Sequence, residues 1–229
     1  MAFNIEWDKA GEKKYETGTD RGVVYPYEES GYGEAVAWTG LRLVTQSPDG
    51  AEETALYADN MKYLSLLSAE NFKGTIGAYT APDVVEVLDG TVSPTKGVMI
   101  GQQARGTFGF SYRTLIGNDV KKNAYGYRLH LVYGATISPS ERSYESVNDT
   151  PAAIELSWDF TTTPVEVGNG LAPSAHIVID STKVTAADLQ KFETMLYGND
   201  TTPGKLPMPS EVIAAFTDSS AGGTGEGQG

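Results

Sequence analysis

Four runs of this chain alternate apolar and polar side chains with a period of two. Phe108, Phe110 and Tyr112 alternate with Thr107, Gly109, Ser111 and Arg113. Tyr125, Tyr127, Leu129, Leu131 and Tyr133 alternate with Gly126, Arg128, His130, Val132 and Gly134. Ile154, Leu156, Trp158 and Phe160 alternate with Glu155, Ser157, Asp159 and Thr161, and Ile177 and Ile179 with His176, Val178 and Asp180. A strand turns successive side chains to opposite faces, so each run predicts a strand with one face in a core. Weaker strand signals cover Ala35–Thr45, Lys62–Ala69, Thr75–Thr80, Val84–Leu88 and Val98–Gln102. Between them stand turn residues: Pro48-Asp49-Gly50, Asp89-Gly90 and Gly117-Asn118-Asp119. Asp89-Gly90, between apolar runs, predicts a tight turn.

One helix is well marked. Thr185 is placed to cap it, with Asp188 three residues on. Leu189, Phe192, Met195 and Leu196 share one face, and Gly198 supplies a stop. A shorter helix is expected from Ser210, carrying Val212, Ile213 and Phe216. The fold class is therefore mainly β, a β-sandwich or barrel with one flanking α-helix. Residues 1–32 are polar with spaced aromatics and read as an extended N-terminal arm. Ser47–Asn60 reads as a long acidic inter-strand loop, 33–216 as the β domain, and 217–229 as a flexible glycine-rich tail.

Composition narrows the chemistry. The 229 residues contain no cysteine, which excludes a disulfide scaffold, a thiolate nucleophile and thiolate metal sites. Thirty acids against 17 Lys and Arg give a net charge of −13, the wrong sign for displacing counterions from nucleic-acid phosphates. No run approaches a membrane-spanning length, and residues 1–8 have neither the basic nor the apolar region of a secretory signal, so neither membrane insertion nor secretion is expected.

Candidate sites reduce to little. The only histidines, His130 and His176, both sit in alternating strands, and no Gly-x-Ser-x-Gly occurs. Glu155 and Asp159 point the same way but ~13 Å apart, too far for a glycosidase pair. Asp49, Glu52 and Glu53 cluster without the spacing of an EF-hand. The expectation is no enzyme, no cofactor and no metal. A β-sandwich displaying Tyr125, Tyr127 and Trp38 would instead suit a non-catalytic carbohydrate-binding module of a virion.

Seven segments carry a resemblance. They are Trp7-Asp-Lys-Ala-Gly-Glu-Lys-Lys-Tyr-Glu-Thr-Gly18, Arg21-Gly-Val-Val-Tyr-Pro26, Ala55-Leu-Tyr-Ala-Asp-Asn-Met-Lys-Tyr-Leu64, Ile100-Gly-Gln-Gln-Ala-Arg105, Tyr112-Arg-Thr-Leu-Ile-Gly-Asn-Asp119, Leu129-His-Leu-Val-Tyr-Gly-Ala135 and Ser157-Trp-Asp-Phe-Thr-Thr-Thr-Pro164. In order and spacing they resemble the major tail proteins of long, non-contractile-tailed bacteriophages. The resemblance implies a structural virion protein of the phage tail, made in the bacterial host cytoplasm. Six copies would form a ring, and rings would stack into a tail tube that conducts DNA into the host. The implied partners are further copies of the chain, a tape-measure protein inside the tube, and tail-terminator and baseplate or tail-tip proteins at its ends. DNA would pass without sequence-specific binding along an acidic wall. The arm and the acidic loop suggest inter-ring contacts at Trp7, Tyr25, Asp49, Glu52, Glu53 and Tyr57. Glu155 and Asp159, on the polar face of their strand, suggest lumen-facing acids.

Overall fold

The computed structural model describes residues 6–144, 146 and 153–217. Its strands are β1 (Lys14–Glu28), β2 (Gly31–Tyr32), β3 (Val36–Trp38), β4 (Leu41–Gln46), β5 (Asp49–Gly50), β6 (Glu53–Ala58), β7 (Met61–Leu67), β8 (Glu70–Asn71) and β9 (Lys73–Ala78). After helix α1 (Asp83–Leu88) come β10 (Val92–Thr95), β11 (Val98–Ile100), β12 (Thr107–Asn118), β13 (Lys122–Ser138), β14 (Leu156–Thr162) and β15 (His176–Asp180). Helices α2 (Ala186–Tyr197) and α3 (Pro209–Thr217) follow. The protein is mainly β, with one large antiparallel sheet and few helices. No helix among the described residues is long and apolar enough to cross a membrane.

The sheet runs β2-β1-β12-β13-β14-β9-β4, with β3 added to β1 and β15 to β13. It folds back so that β4 lies against β1. Val24, Phe108, Phe110, Tyr112, Val132, Trp158 and Phe160 fill the space it encloses, with Trp38 from β3 and Val85 and Leu88 from α1. The outer side of β1, β12 and β13 packs on the helices. There Tyr25, Leu129, Leu131 and Tyr133 meet Leu189, Phe192 and Leu196 of α2 and Val212 of α3. Each such side chain contributes about 1.5–3 kcal/mol by leaving water. Tyr25 also donates to the Leu196 carbonyl at 2.9 Å, and Tyr133 to that of Pro207 at 3.0 Å, fixing where the helices sit.

A single bulge lets β13 serve both cores. Phe108 pairs with Ala135 and Phe110 with Val132, so Tyr133 and Gly134 together face Gly109. Before the bulge, Leu129, Leu131 and Tyr133 point to the helices; after it, Ala135 and Ile137 point inward. The partner changes at the same place, from β15 (paired with Arg128–Val132) to β14 (paired with Ala135–Ser138). Such bulges re-aim a strand and let it switch sheets. Gly134 has φ +57°, and a Cβ there would stand 2.2 Å from the Thr163 carbonyl oxygen.

The four alternating runs fall in β12, β13, β14 and β15, and α2 begins as the capping pattern predicts, with Thr185 accepting from the Asp188 amide at 3.2 Å. Three expectations need correction. Val84–Leu88 is not a strand but lies in α1, because Val85 and Leu88 share one buried face three residues apart. Asp89-Gly90 ends that helix instead of turning a hairpin. The Thr91 amide bonds the Glu86 carbonyl and the Gly90 amide that of Val87, a Schellman closure with Gly90 at φ +81°. The third is the arm. Within residues 1–32, Lys14–Glu28 is a strand of the sheet, paired with β12 on one side and, beyond Arg21, with β3 and β2 on the other, and Val23, Val24 and Tyr25 are buried. Two register shifts, at Thr17/Thr19 and Asp20/Val23, break its alternation and hide the strand. A domain boundary after residue 32 would thus cut through the sheet. Thr217 belongs to α3, and the rest of the 217–229 tail lies outside the described residues.

Replacing Gly134 with Ala should cost about 3 kcal/mol in urea unfolding, from left-handed strain plus the backbone clash. Gly97, at φ +83° with open space within 4 Å of where a Cβ would stand, is the control. Gly97→Ala should cost about 1 kcal/mol. Equal losses at both positions would contradict the role of the bulge.

Candidate functional site

The expected loop 47–60 is largely β-structure. β5 pairs with β8, and above them β6 and β7 form a hairpin whose turn is Asp59-Asn60. Both turn residues have positive φ, 51° and 62°, the two-residue geometry matched to strand twist. Register divides the hairpin into two faces. Ala58 opposite Met61, Leu56 opposite Leu64 and Thr54 opposite Leu66 make one apolar face. Glu53, Ala55, Tyr57, Lys62, Ser65 and Leu67 make the other, while Tyr63 is the extra residue of a bulge. Glu53 accepts from Lys62 and Ser65, closing the polar side internally.

No described residue covers the apolar face. Met61 is 69% exposed, Leu66 54%, and Leu56 and Leu64 also face solvent. A two-stranded ribbon is marginal alone, and uncovered apolar surface of this kind marks an interaction site. The second hairpin, β10–β11, is similar on a smaller scale, with Val92, Val98, Met99 and Ile100 all exposed. The large sheet also has open edges. Among the described residues β15 pairs only with β13, and Lys14–Asp20 of β1 only with β12. Unpaired edges are templates for another chain.

The residues singled out from sequence divide sharply. Tyr57 (73% exposed) and Trp7 (69%) are surface side chains. Tyr25 is not available as a contact, because it is fully buried beneath α2. Asp49, Glu52 and Glu53 are all exposed. Asp49 is bound by Lys73 at 2.7 Å, and that bond holds its carboxyl below the usual range. Lys62, and then Ser65, do the same for Glu53. Asp49 thus ties β5 to β9 and Glu53 ties β6 to β7, leaving Glu52 as the acid of the three without an ion pair among the described residues. Glu155 pairs with Arg42 at 2.9 Å, and exposed Asp159 accepts from Thr75 at 2.5 Å. The apolar hairpin residues were missed. Their signal was present: apolar positions alternating on both sides of Asp59-Asn60, a pair that tolerates left-handed backbone.

Both histidines lie in an aromatic column that crosses the sheet. Phe72, His176, His130, Tyr112 and Phe110 stack in that order, with centroids 4.5, 5.4, 4.5 and 5.5 Å apart. His130 Nδ1 and His176 Nε2 stand 3.2 Å apart. Around them are Gln46 from β4, Thr114 from β12, and Glu16 from β1, the last held by Arg128. Burial, and then the neighbouring His130, push His176 down to about 4. Burial also lowers His130, against the pull of Glu16. Among the described residues no group of three or more His, Asp or Glu could hold a metal ion.

No family model matches the chain, and no curated protein matches it.

The histidine pair gives a pH prediction. His176 has a folded pKa of about 4, below the ordinary 6.5, so the unfolded chain binds the proton more tightly. Its contribution is fully present above 6.5 and is lost as pH falls toward 4, by at most about 3 kcal/mol. His176→Phe keeps a ring between Phe72 and His130 and should flatten the stability profile between those limits. Denaturant titrations at pH 7, 5.5 and 4.5 measure this; parallel profiles for the two proteins would contradict it.

Proposed function

We propose that this chain is a self-assembling structural subunit, the tail-tube protein of a long-tailed bacteriophage. One observation carries the reading: a hairpin with an apolar face stands clear of a subunit whose own cores are already filled. A lone soluble domain gains nothing by displaying Met61, Leu56, Leu64 and Leu66, whereas a subunit that meets further copies buries them. The open edges of β1 and β15 support the same reading, since backbone groups unpaired in one copy can pair with the next. Head-to-tail contacts of this kind close into rings or propagate as filaments.

In this account the sheet is the tube fold of the resembled family, a sandwich or barrel with flanking α2. Six copies make a ring, stacked rings make the tube within the virion, and the chain does no bond-making chemistry. The hairpins reach the adjacent ring with Tyr57 and Met61, assisted by Trp7. The net charge of −13 keeps DNA from adhering to the wall as it moves through. Asp159 is the better lumen acid of the two named, because Arg42 neutralises Glu155. A tape-measure protein inside, and terminator and tip proteins at the ends, complete the assembly. The carbohydrate-binding alternative loses one of its platforms: Trp38 is 2% exposed and its indole donates to the Thr80 carbonyl.

Negative-stain microscopy of the concentrated protein should show rings or tubes. Leu66→Asp should abolish them while changing subunit stability by less than about 1 kcal/mol. Tubes unaffected by Leu66→Asp, or a wild-type protein that stays monomeric at high concentration, would overturn the proposal.

A further inference from the structure

We infer that the tip of the β6–β7 hairpin docks into a specific cleft on a second copy of the chain, between α2 and the segment that follows it. This rests on the assembly reading above and names the receiving site.

The cleft has a volume of about 610 Å³. Tyr32, Met195 and Pro203 give it an apolar lining, with Lys191, Lys205 and Glu34 around them. Two features mark it as unfinished. Met195 stands at the border of the buried face of α2, beside Lys191, and is 45% exposed, a large apolar side chain at the mouth of the cleft. The two lysines join no ion pair among the described residues, although the chain has far more acids than bases. Nor does the end of α2 need them. Three of its last four carbonyls already have partners: Thr194 takes the Gly198 amide, Met195 the Lys205 amide and Leu196 the Tyr25 hydroxyl. Among the described residues no carboxylate is within ion-pair distance of either ammonium group, and an acid from a second copy can supply one.

The hairpin tip has the complementary chemistry. Asp59 sits in the turn, with Tyr57 and Met61 on either side and Tyr63 bulged beside them, all exposed. Every residue of β7 is exposed, and an arm of seven residues reaches ~20 Å from its base. The turn carboxylate, with Tyr57 on one face of the ribbon and Met61 on the other, matches an apolar cleft whose two lysines have no ion pair among the described residues. The surface given and the surface received differ, so the contact is head-to-tail and repeats from copy to copy. The rest of the strongly acidic surface repels like surface, so a lysine-bearing cleft also selects where the tip lands.

The absence of cysteine makes the test clean. Ala58→Cys protein, which keeps Asp59, is mixed under mild oxidation with Thr202→Cys protein, which keeps both lysines of the cleft, and with Lys121→Cys protein as the control. All three positions are exposed, and circular dichroism checks each fold. The first mixture should form disulfide-linked pairs faster than the control by about tenfold or more, because docking raises the effective concentration. Microscopy of the wild type runs in parallel. Rings without preferential cross-linking would overturn the cleft contact and leave the assembly reading intact. Cross-linking without rings would uphold the contact and count against a tube. Neither rings nor cross-links would overturn both.

Discussion

The fold depends on two central strands that are buried on both sides. Phe108, Phe110 and Tyr112 of β12 face the enclosed core, while Gly109 and Ser111 face the helix layer. β13 must supply Leu129, Leu131 and Tyr133 to one side and Ala135 and Ile137 to the other, which an unbroken period of two forbids. The extra residue at Gly134 resolves the conflict. It reverses the facing of the strand, hands pairing from β15 to β14, and leaves its amide to the Tyr32 hydroxyl at 2.8 Å. The Tyr25 and Tyr133 hydroxyls then anchor the helix layer through backbone carbonyls.

A subunit completed in this way has little reason to project more apolar surface, yet it projects two hairpins. Among the described residues each ribbon pairs only within itself, and the β6–β7 polar face is closed by Lys62, Ser65 and Glu53, but the opposite face has no described residue to pack on. The same chain leaves Lys191 and Lys205 beside α2 without an ion pair among the described residues, while most other cations are paired. Both features make sense if the folded unit is one part of a repeating structure. The stacked histidines belong to the other half of the picture. They are neutral packing elements near pH 7 that hold β12, β13 and β15 in line, with Gln46 bridging toward them from β4.

Much of this was legible in the sequence. The strands with clean alternation, the capped helix and the stop at Gly198 are local signals, and local physics suffices to read them. What escaped was decided by context. β1 is hidden because its register slips around Arg21-Gly22 and three consecutive residues, Val23 to Tyr25, are buried on alternating sides. α1 contains three valines, which favour strands elsewhere; packing of Val85 and Leu88 against the core overrides that tendency. The stretch 47–60 looked like a loop because its acids and turn residues outnumber its apolar ones. Its partner strand lies beyond residue 60, so only the pairing reveals the apolar face. Tyr25 was misplaced for the same reason as β1, and Tyr57 was placed on the surface because 47–60 read as a polar, acidic loop.

The central claim is that these uncovered hairpins are the surfaces by which copies complete one another. Amide hydrogen exchange on the intact chain, compared between dilute and concentrated protein, tests it segment by segment. Slowed exchange at high concentration is expected to be concentrated in residues 53–67 and 92–100 and along Lys14–Asp20 and β15. Exchange that is independent of concentration in those segments, or slowed evenly over the whole chain, would contradict it.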